Sequence, residues 1–163
     1  KEGKRREKAL TKTLSEFETY IEKSPDGRFA TQSAEEIIKL GVHLTNYDNL
    51  LISKTFYANG EFEKARNYLN KTTLSESWTD FARTEYKLGH KDKTRYYVEY
   101  GLKDHADGAK QEDVYEAIDF YISCFTTRKD GINALLSKNY SSTGADYIGF
   151  LNCSEILSID LFV

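Results

Sequence analysis

The chain has 163 residues, a length that favours a single domain with a sizeable hydrophobic core. Hydrophobic residues make up 39% and charged residues 30%, which is typical of a soluble globular protein. The net charge of −3 argues against nucleic acid as the main partner. No stretch reaches the roughly 20 apolar residues of a membrane helix, so the sequence predicts no membrane association. Two cysteines are too few for a disulfide framework, which favours a reduced, cytoplasmic environment.

The N-terminal segment, residues 1–45, has the pattern of two helices. Apolar residues at intervals of three and four predict the first helix over residues 4–23. The turn around Pro25 ends it, because proline cannot donate a backbone hydrogen bond. Ser33 is a common capping residue, so we expect the second helix to start there.

The central segment, residues 46–138, predicts short helices joined by brief turns. Their expected ranges are 49–58, 61–70, 75–88, 91–102, 112–127 and 131–138. Turns this short require neighbouring helices to run antiparallel, so the predicted architecture is a stack of α-hairpins. The final segment, 139–163, is expected to form a loop over 139–145, and the apolar tail after it is either a helix or a strand, of which a capping helix is favoured. The predicted fold class is therefore all-α within one domain, 1–163.

Two of these turns share a pattern at an offset of 29 residues. Gly60 aligns with Gly89, and the small residues Ala65 and Thr94 follow each glycine at the same distance. Glycine allows the chain to reverse between two helices. A small side chain in the returning helix allows close approach to its partner.

This pattern resembles the tetratricopeptide repeat. The segment 57–65 (YANGEFEKA) has an aromatic residue followed by the family's G-[DE]-[FY]-x-x-A, and Trp78, Phe81 and Ala82 match its bulky–bulky–small triplet. The resemblance covers residues 46–102 and implies either a right-handed superhelix or a compact helical array, with Trp78 in the core. The offset of 29 departs from the family period of about 34. A globular helical bundle with shared turn chemistry is the alternative.

The resemblance also implies a function, which is binding of another protein or a peptide on a concave wall formed by the first helix of each hairpin. A peptide groove needs polar anchors beside aromatic area. The candidate contacts on this wall are Asn49, Lys54, Arg83, Lys87, Tyr115 and Tyr121. The alternative is that the two tyrosines fill the interior and that the others are solvated.

The sequence lacks the motifs that would indicate catalysis. The three histidines are widely separated, and neither a zinc-protease, a phosphate-loop nor a dinucleotide motif is present. We therefore expect no enzymatic activity, no cofactor and no metal. Cys124 and Cys153 both lie in apolar segments and are expected to be buried structural thiols.

A second hypothesis is an immunity protein that blocks a cognate bacterial toxin. A small acidic helical domain would suit a basic toxin, because opposite charges speed association. The contact residues would then be acidic, namely Asp104, Asp107, Glu112, Asp113 and Glu116. A toxin gene directly upstream in the same operon would favour this hypothesis over a scaffold.

Overall fold

The structure is a computed structural model that describes residues 1–138, 140 and 142–161. Helices account for 79% of the described residues, which include no strand, so the predicted all-α class is confirmed. The chain divides into two compact units, unit 1 (Lys1–Thr73) and unit 2 (Leu74–Val163). In the part of the chain that is described, no helix has both the length and the hydropathy that a membrane span requires.

Unit 1 consists of four helices, which are α1 (Glu2–Lys23), α2 (Ala30–Lys39), α3 (Asn46–Ala58) and α4 (Phe62–Leu69). Helix α1 packs against α2 and α3, and α3 packs against α4. The core is formed by apolar residues at helical spacing from all four helices, including Ile21, Ile37, Ile52, Phe56 and Ala65.

The start of α2 corrects the sequence prediction. The helix begins at Ala30 rather than at Ser33, which is buried inside its first turns. Phe29 occupies the capping position without a side-chain hydrogen bond, and the Ala30 amide donates to the Gly27 carbonyl at 2.9 Å. Because this helix starts from a backbone turn, no capping side chain marked its true first residue.

Unit 2 consists of five α-helices within the described residues. These are α5 (Leu74–Lys87), α6 (Lys91–Asp104), α7 (Gln111–Ser123), α8 (Arg128–Leu136) and α9 (Ser142–Leu161). A single 3-10 turn, Ala106–Gly108, lies between α6 and α7. Helix α7 packs against each of α5, α6, α8 and α9. The core of the unit forms around it, with Trp78, Leu102, Ile118, Ile122 and Leu135 among its buried members.

Helix α9 confirms the predicted C-terminal helix, but it begins earlier in the chain than predicted. The loop was expected to end at residue 145, whereas the helix begins at Ser142. Its first turn is fixed by Asp107, which accepts hydrogen bonds from the Thr143 hydroxyl at 2.9 Å and the Thr143 amide at 3.4 Å. Asn139 and Ser141 lie outside the described residues.

The third hairpin also differs from its prediction. Its helices were expected over 112–127 and 131–138, but α7 ends at Ser123 and α8 begins at Arg128, so that Gly131 lies inside α8. A Cβ atom added at Gly131 would lie 2.8 Å from the Ile122 Cα. Gly131 is therefore the small residue at which α8 approaches α7 closely.

The two hairpins aligned at an offset of 29 share their turn geometry. Gly60 and Gly89 have φ values of 77° and 81°, a region that favours glycine. In each turn the amide of the residue after the glycine donates a hydrogen bond to a carbonyl of the preceding helix. Glu61 donates to the Phe56 carbonyl and His90 to the Glu85 carbonyl, both at 2.9 Å. The small residues Ala65 and Thr94 that follow are fully buried.

At the same offset of 29, Asn49, Ile52 and Ser53 of α3 align with the triplet Trp78, Phe81 and Ala82 of α5. All six residues are buried. The Ser53 hydroxyl donates to the Ala65 carbonyl at 2.8 Å, so a polar side chain is accommodated at the small position. The repeat at an offset of 29 is therefore a property of the packing, while membership of the tetratricopeptide family stays a prediction.

A carboxyl pair joins α1 to α3 in unit 1. Asp48 and Thr45 cap α3 reciprocally, since the Thr45 amide donates to Asp48 Oδ2 at 2.7 Å and the Asp48 amide donates to Thr45 Oγ1 at 3.2 Å. Against the effect of its burial, hydrogen bonds from Glu18 and Thr45 lower the pKa of Asp48. Burial, the hydrogen bond to Asp48 and the charges of Asp48 and Glu22 raise the pKa of Glu18 from 4.5 to about 7.

Glu18 should therefore make the stability of unit 1 depend on pH between about 4.5 and about 7. The folded chain keeps a proton that the unfolded chain releases near pH 4.5, so this contribution is complete below pH 4.5 and is lost as pH rises through 7. Glu18→Gln retains a donor to Asp48 without a titrating proton. Relative to the variant, the native chain should lose about 1–2 kcal/mol between about pH 5 and about pH 8.

Urea unfolding followed by circular dichroism at both pH values measures this difference. Glu7→Gln, at an exposed position of the same helix, is the matched control and should follow the native chain. Equal pH dependence in the native chain and in Glu18→Gln would show that the carboxyl pair does not hold this proton.

Candidate protein-binding face

A stripe of aromatic and charged side chains runs across α5, α7 and α9 of unit 2. Each member contacts at least one other through ring packing, a cation–ring contact, a hydrogen bond or an ion pair, and we call the stripe the aromatic face. It consists of Arg83, Tyr86, Lys87, Tyr115, Glu116, Asp119, Phe120, Tyr147 and Phe150. None of the nine is fully buried.

The rings of the aromatic face form two groups. Tyr115 of α7 stacks on Tyr147 of α9 with ring centroids 4.2 Å apart, and Phe150 continues the row at 6.5 Å with the same 17° interplanar angle. Tyr86 of α5 packs on Phe120 of α7 at 4.6 Å. Phe150 is 65% exposed, which is unusual for a phenylalanine and leaves much of its surface in water.

Asp119 fixes the position of the stacked tyrosines. The Tyr147 hydroxyl donates to Asp119 Oδ1 at 2.8 Å, which ties α9 to α7. Burial and this hydrogen bond raise the pKa of Tyr147 to about 12, so its phenol stays protonated at neutral pH. The result is a row of rings held in place with an exposed carboxylate at its edge.

Arg83 is already paired within the chain. Its guanidinium lies 2.5 Å from Asp80 Oδ1 and 3.9 Å from Glu116 Oε1, and 20% of the side chain is exposed. Asp80 is buried, so reversing the charge at Arg83 would leave a buried carboxylate without its counter-ion. A loss of binding in such a variant would therefore be confounded by a loss of stability.

The six contacts predicted from sequence are divided between the two units, with Arg83, Lys87, Tyr115 and Tyr121 in unit 2 and Asn49 and Lys54 in unit 1. Arg83, Lys87 and Tyr115 lie together on the aromatic face, and the Lys87 ammonium lies 5.8 Å from the Phe120 ring centroid. Asn49 and Lys54 belong to α3 in unit 1.

Two of the six are buried and present almost no surface to a partner. Asn49 is 5% exposed and donates to the Thr45 carbonyl at 3.0 Å. Tyr121 is 2% exposed, and its hydroxyl donates to Glu99 Oε1 at 2.8 Å. Burial and this hydrogen bond raise the pKa of Tyr121 well above its usual value. Both residues fill the interior, because they lie on the helix faces that pack inward.

Sequence reasoning missed five members of the aromatic face, namely Tyr86, Asp119, Phe120, Tyr147 and Phe150. Tyr86 and Phe120 have the spacing of core residues, and the 147–150 pair lies in the segment interpreted only as a cap. The signal in the sequence that could have identified one of them was its position on α7 relative to Tyr115. Tyr115 and Asp119 share one helical face because they are four residues apart.

The thiols and acids also differ from expectation. Cys124 is buried as predicted, but Cys153 is exposed, because it lies on the outer side of α9. Among the described residues, no group of three or more His, Cys, Asp or Glu side chains could hold a metal ion. Of the five acids proposed for toxin binding, Asp107 is engaged by Thr143.

Comparisons with known proteins return no match for this chain, whether the search is against family models, curated proteins or solved structures.

Proposed function

We propose that this chain is a non-enzymatic helical-hairpin module that binds another protein or a peptide through the aromatic face of unit 2. The observation that carries the proposal is the row Tyr115–Tyr147–Phe150. Its rings are already stacked in the chain without a partner, and it ends in a phenylalanine that is 65% exposed. Aromatic residues contribute a large share of the binding energy at protein interfaces. A stacked row loses little conformational freedom on binding, which favours affinity.

The charges around the rings support a polar partner surface rather than a purely apolar contact. Glu116 and Asp119 lie beside the rings on α7, and Lys87 lies beside Phe120. Apolar rings at the centre with charged groups around them are the usual composition of a transient protein interface. The immunity-protein hypothesis shares part of this surface, because Glu116 is one of the acids proposed to contact the toxin. That hypothesis is tested by whether a toxin gene lies directly upstream in the same operon.

Panning a random-peptide phage library on the full chain tests this proposal. Peptides that bind should lose about tenfold in affinity to Phe150→Ala, because truncation removes the most exposed ring of the row. Fluorescence anisotropy with labelled copies of the enriched peptides measures the change. Phe150 is mostly exposed, so the variant should keep its helical circular-dichroism signal and its melting temperature.

Tyr96→Ala is the matched control, since Tyr96 is a 59% exposed ring on α6 of the same unit. It should leave the affinity of the enriched peptides unchanged. Failure to enrich any peptide would contradict the proposed function. Enriched peptides that bind Phe150→Ala as well as the native chain would show that the aromatic face is not the site.

A further inference from the structure

We propose that the partner of the aromatic face is a basic segment of a protein, whose arginine side chains lie on the Tyr115–Tyr147–Phe150 rings with their guanidinium groups near Asp119. This inference rests on the proposed function and adds the chemistry of the partner. Three observations on unit 2 carry it, namely the charge beside the rings, the charge of the whole unit and the way the chain pairs its own cations with rings.

The first observation is the carboxylate at the edge of the ring row. Asp119 lies within hydrogen-bond distance of the Tyr147 hydroxyl, and its side chain is exposed on α7. Glu116, which is 49% exposed and lies 3.9 Å from the Arg83 guanidinium, precedes Asp119 by one turn on the same helix. A planar cation that stacks on the rings would therefore meet negative charge at their edge, and arginine is the side chain that does both.

The second observation is the charge of the unit. Residues 74–163 include 15 Asp and Glu but only 10 Lys and Arg. A net negative surface attracts a basic segment over distances of about 8–10 Å at physiological ionic strength. The same charge repels a phosphate backbone, so stacking of nucleic-acid bases on these rings is disfavoured.

The third observation is that unit 2 already pairs its own cations with aromatic rings. The Arg95 guanidinium lies 5.4 Å from the Phe125 centroid, and the Lys87 ammonium lies 5.8 Å from that of Phe120. Both distances are within the range of cation–π attraction. An arginine of the partner would make the same kind of cation–ring contact with the outer rings of α9.

The test uses labelled peptides of about eight residues that alternate glycine with arginine, lysine or glutamate, together with an oligothymidylate of similar length. At low salt the arginine peptide should bind about fivefold more tightly than the lysine peptide, because a guanidinium stacks and an ammonium does not. Asp119→Asn keeps an acceptor for Tyr147 and should weaken the arginine peptide about fivefold. Phe150→Ala should weaken it about tenfold.

Asp130→Asn is the matched control, an exposed acid on α8 of the same unit, and should change the affinity less than about twofold. Equal binding of arginine and glutamate peptides, or tighter binding of the oligothymidylate, would overturn the inference. So would an arginine affinity that Asp119→Asn and Phe150→Ala leave unchanged. Phage-selected peptides that need Phe150 but lack basic residues would overturn the partner class alone and leave the proposed function standing.

Discussion

Replacing Trp78 with alanine should lower the free energy of unfolding of unit 2 by about 3–5 kcal/mol. The indole ring is 1% exposed and lies in the main core of the unit, beside Val98, Leu102 and Ile118. Its removal costs the transfer free energy of the largest side chain in that core and leaves a cavity that helices cannot fill without moving. Because small domains are stable by only about 5–15 kcal/mol, this is a large part of the total.

Urea unfolding followed by circular dichroism measures the effect. Tyr96→Ala, which truncates a ring that is 59% exposed, should cost less than about 1 kcal/mol. A change below about 1 kcal/mol for Trp78→Ala would mean that the core of unit 2 is packed differently and that the alignment of Trp78 with the triplet is wrong.

Replacing Gly101 with alanine should also destabilise unit 2, by about 2–3 kcal/mol. The Trp78 ring lies directly over this glycine of α6, and an added Cβ would overlap its Cδ2, Cε3 and Cε2 atoms. The ring is enclosed by the core and cannot move aside, so the helices must separate. The gain in helix propensity of about 1 kcal/mol offsets only part of this cost.

Gly149→Ala is the matched control because Gly149 is also inside a helix, α9, and a Cβ there would meet nothing within 4 Å. That variant should be stabilised by up to about 1 kcal/mol, since only the propensity term remains. Thermal unfolding of the two variants in parallel should therefore shift the melting temperature in opposite directions. Shifts of the same sign would contradict the contact between Gly101 and Trp78.

The helices α1 to α8 could be predicted from apolar spacing, because each contributes apolar residues at helical spacing to a core, whereas the apolar tail that forms α9 was also compatible with a strand. Gly60 and Gly89 marked their turns correctly, since a positive φ has a clear sequence signal. The start of α2 and the role of Gly131 could not be read in the same way. The first depends on a backbone turn before Ala30, and the second on how closely two helices approach.

The candidate face was only partly predictable from the sequence. Arg83, Lys87 and Tyr115 were selected because they lie on first helices of hairpins, and the structure brings them together. Asn49 was selected for its polarity, although its alignment with Trp78 already pointed to the interior. Tyr147 and Phe150 were missed because stacking across two helices depends on tertiary packing, which single-helix periodicity does not contain.

The position of α7 bears on how fast a partner would be recognised and on how much conformational entropy would be lost on binding. This helix is held by four neighbours, and it carries the middle row of the aromatic face through Tyr115, Asp119 and Phe120. Its amides should exchange with deuterium only through opening of the whole unit, so the rings move little before contact. Under the proposed function, a surface with this rigidity would act as a template, and a flexible partner would be the one that becomes ordered.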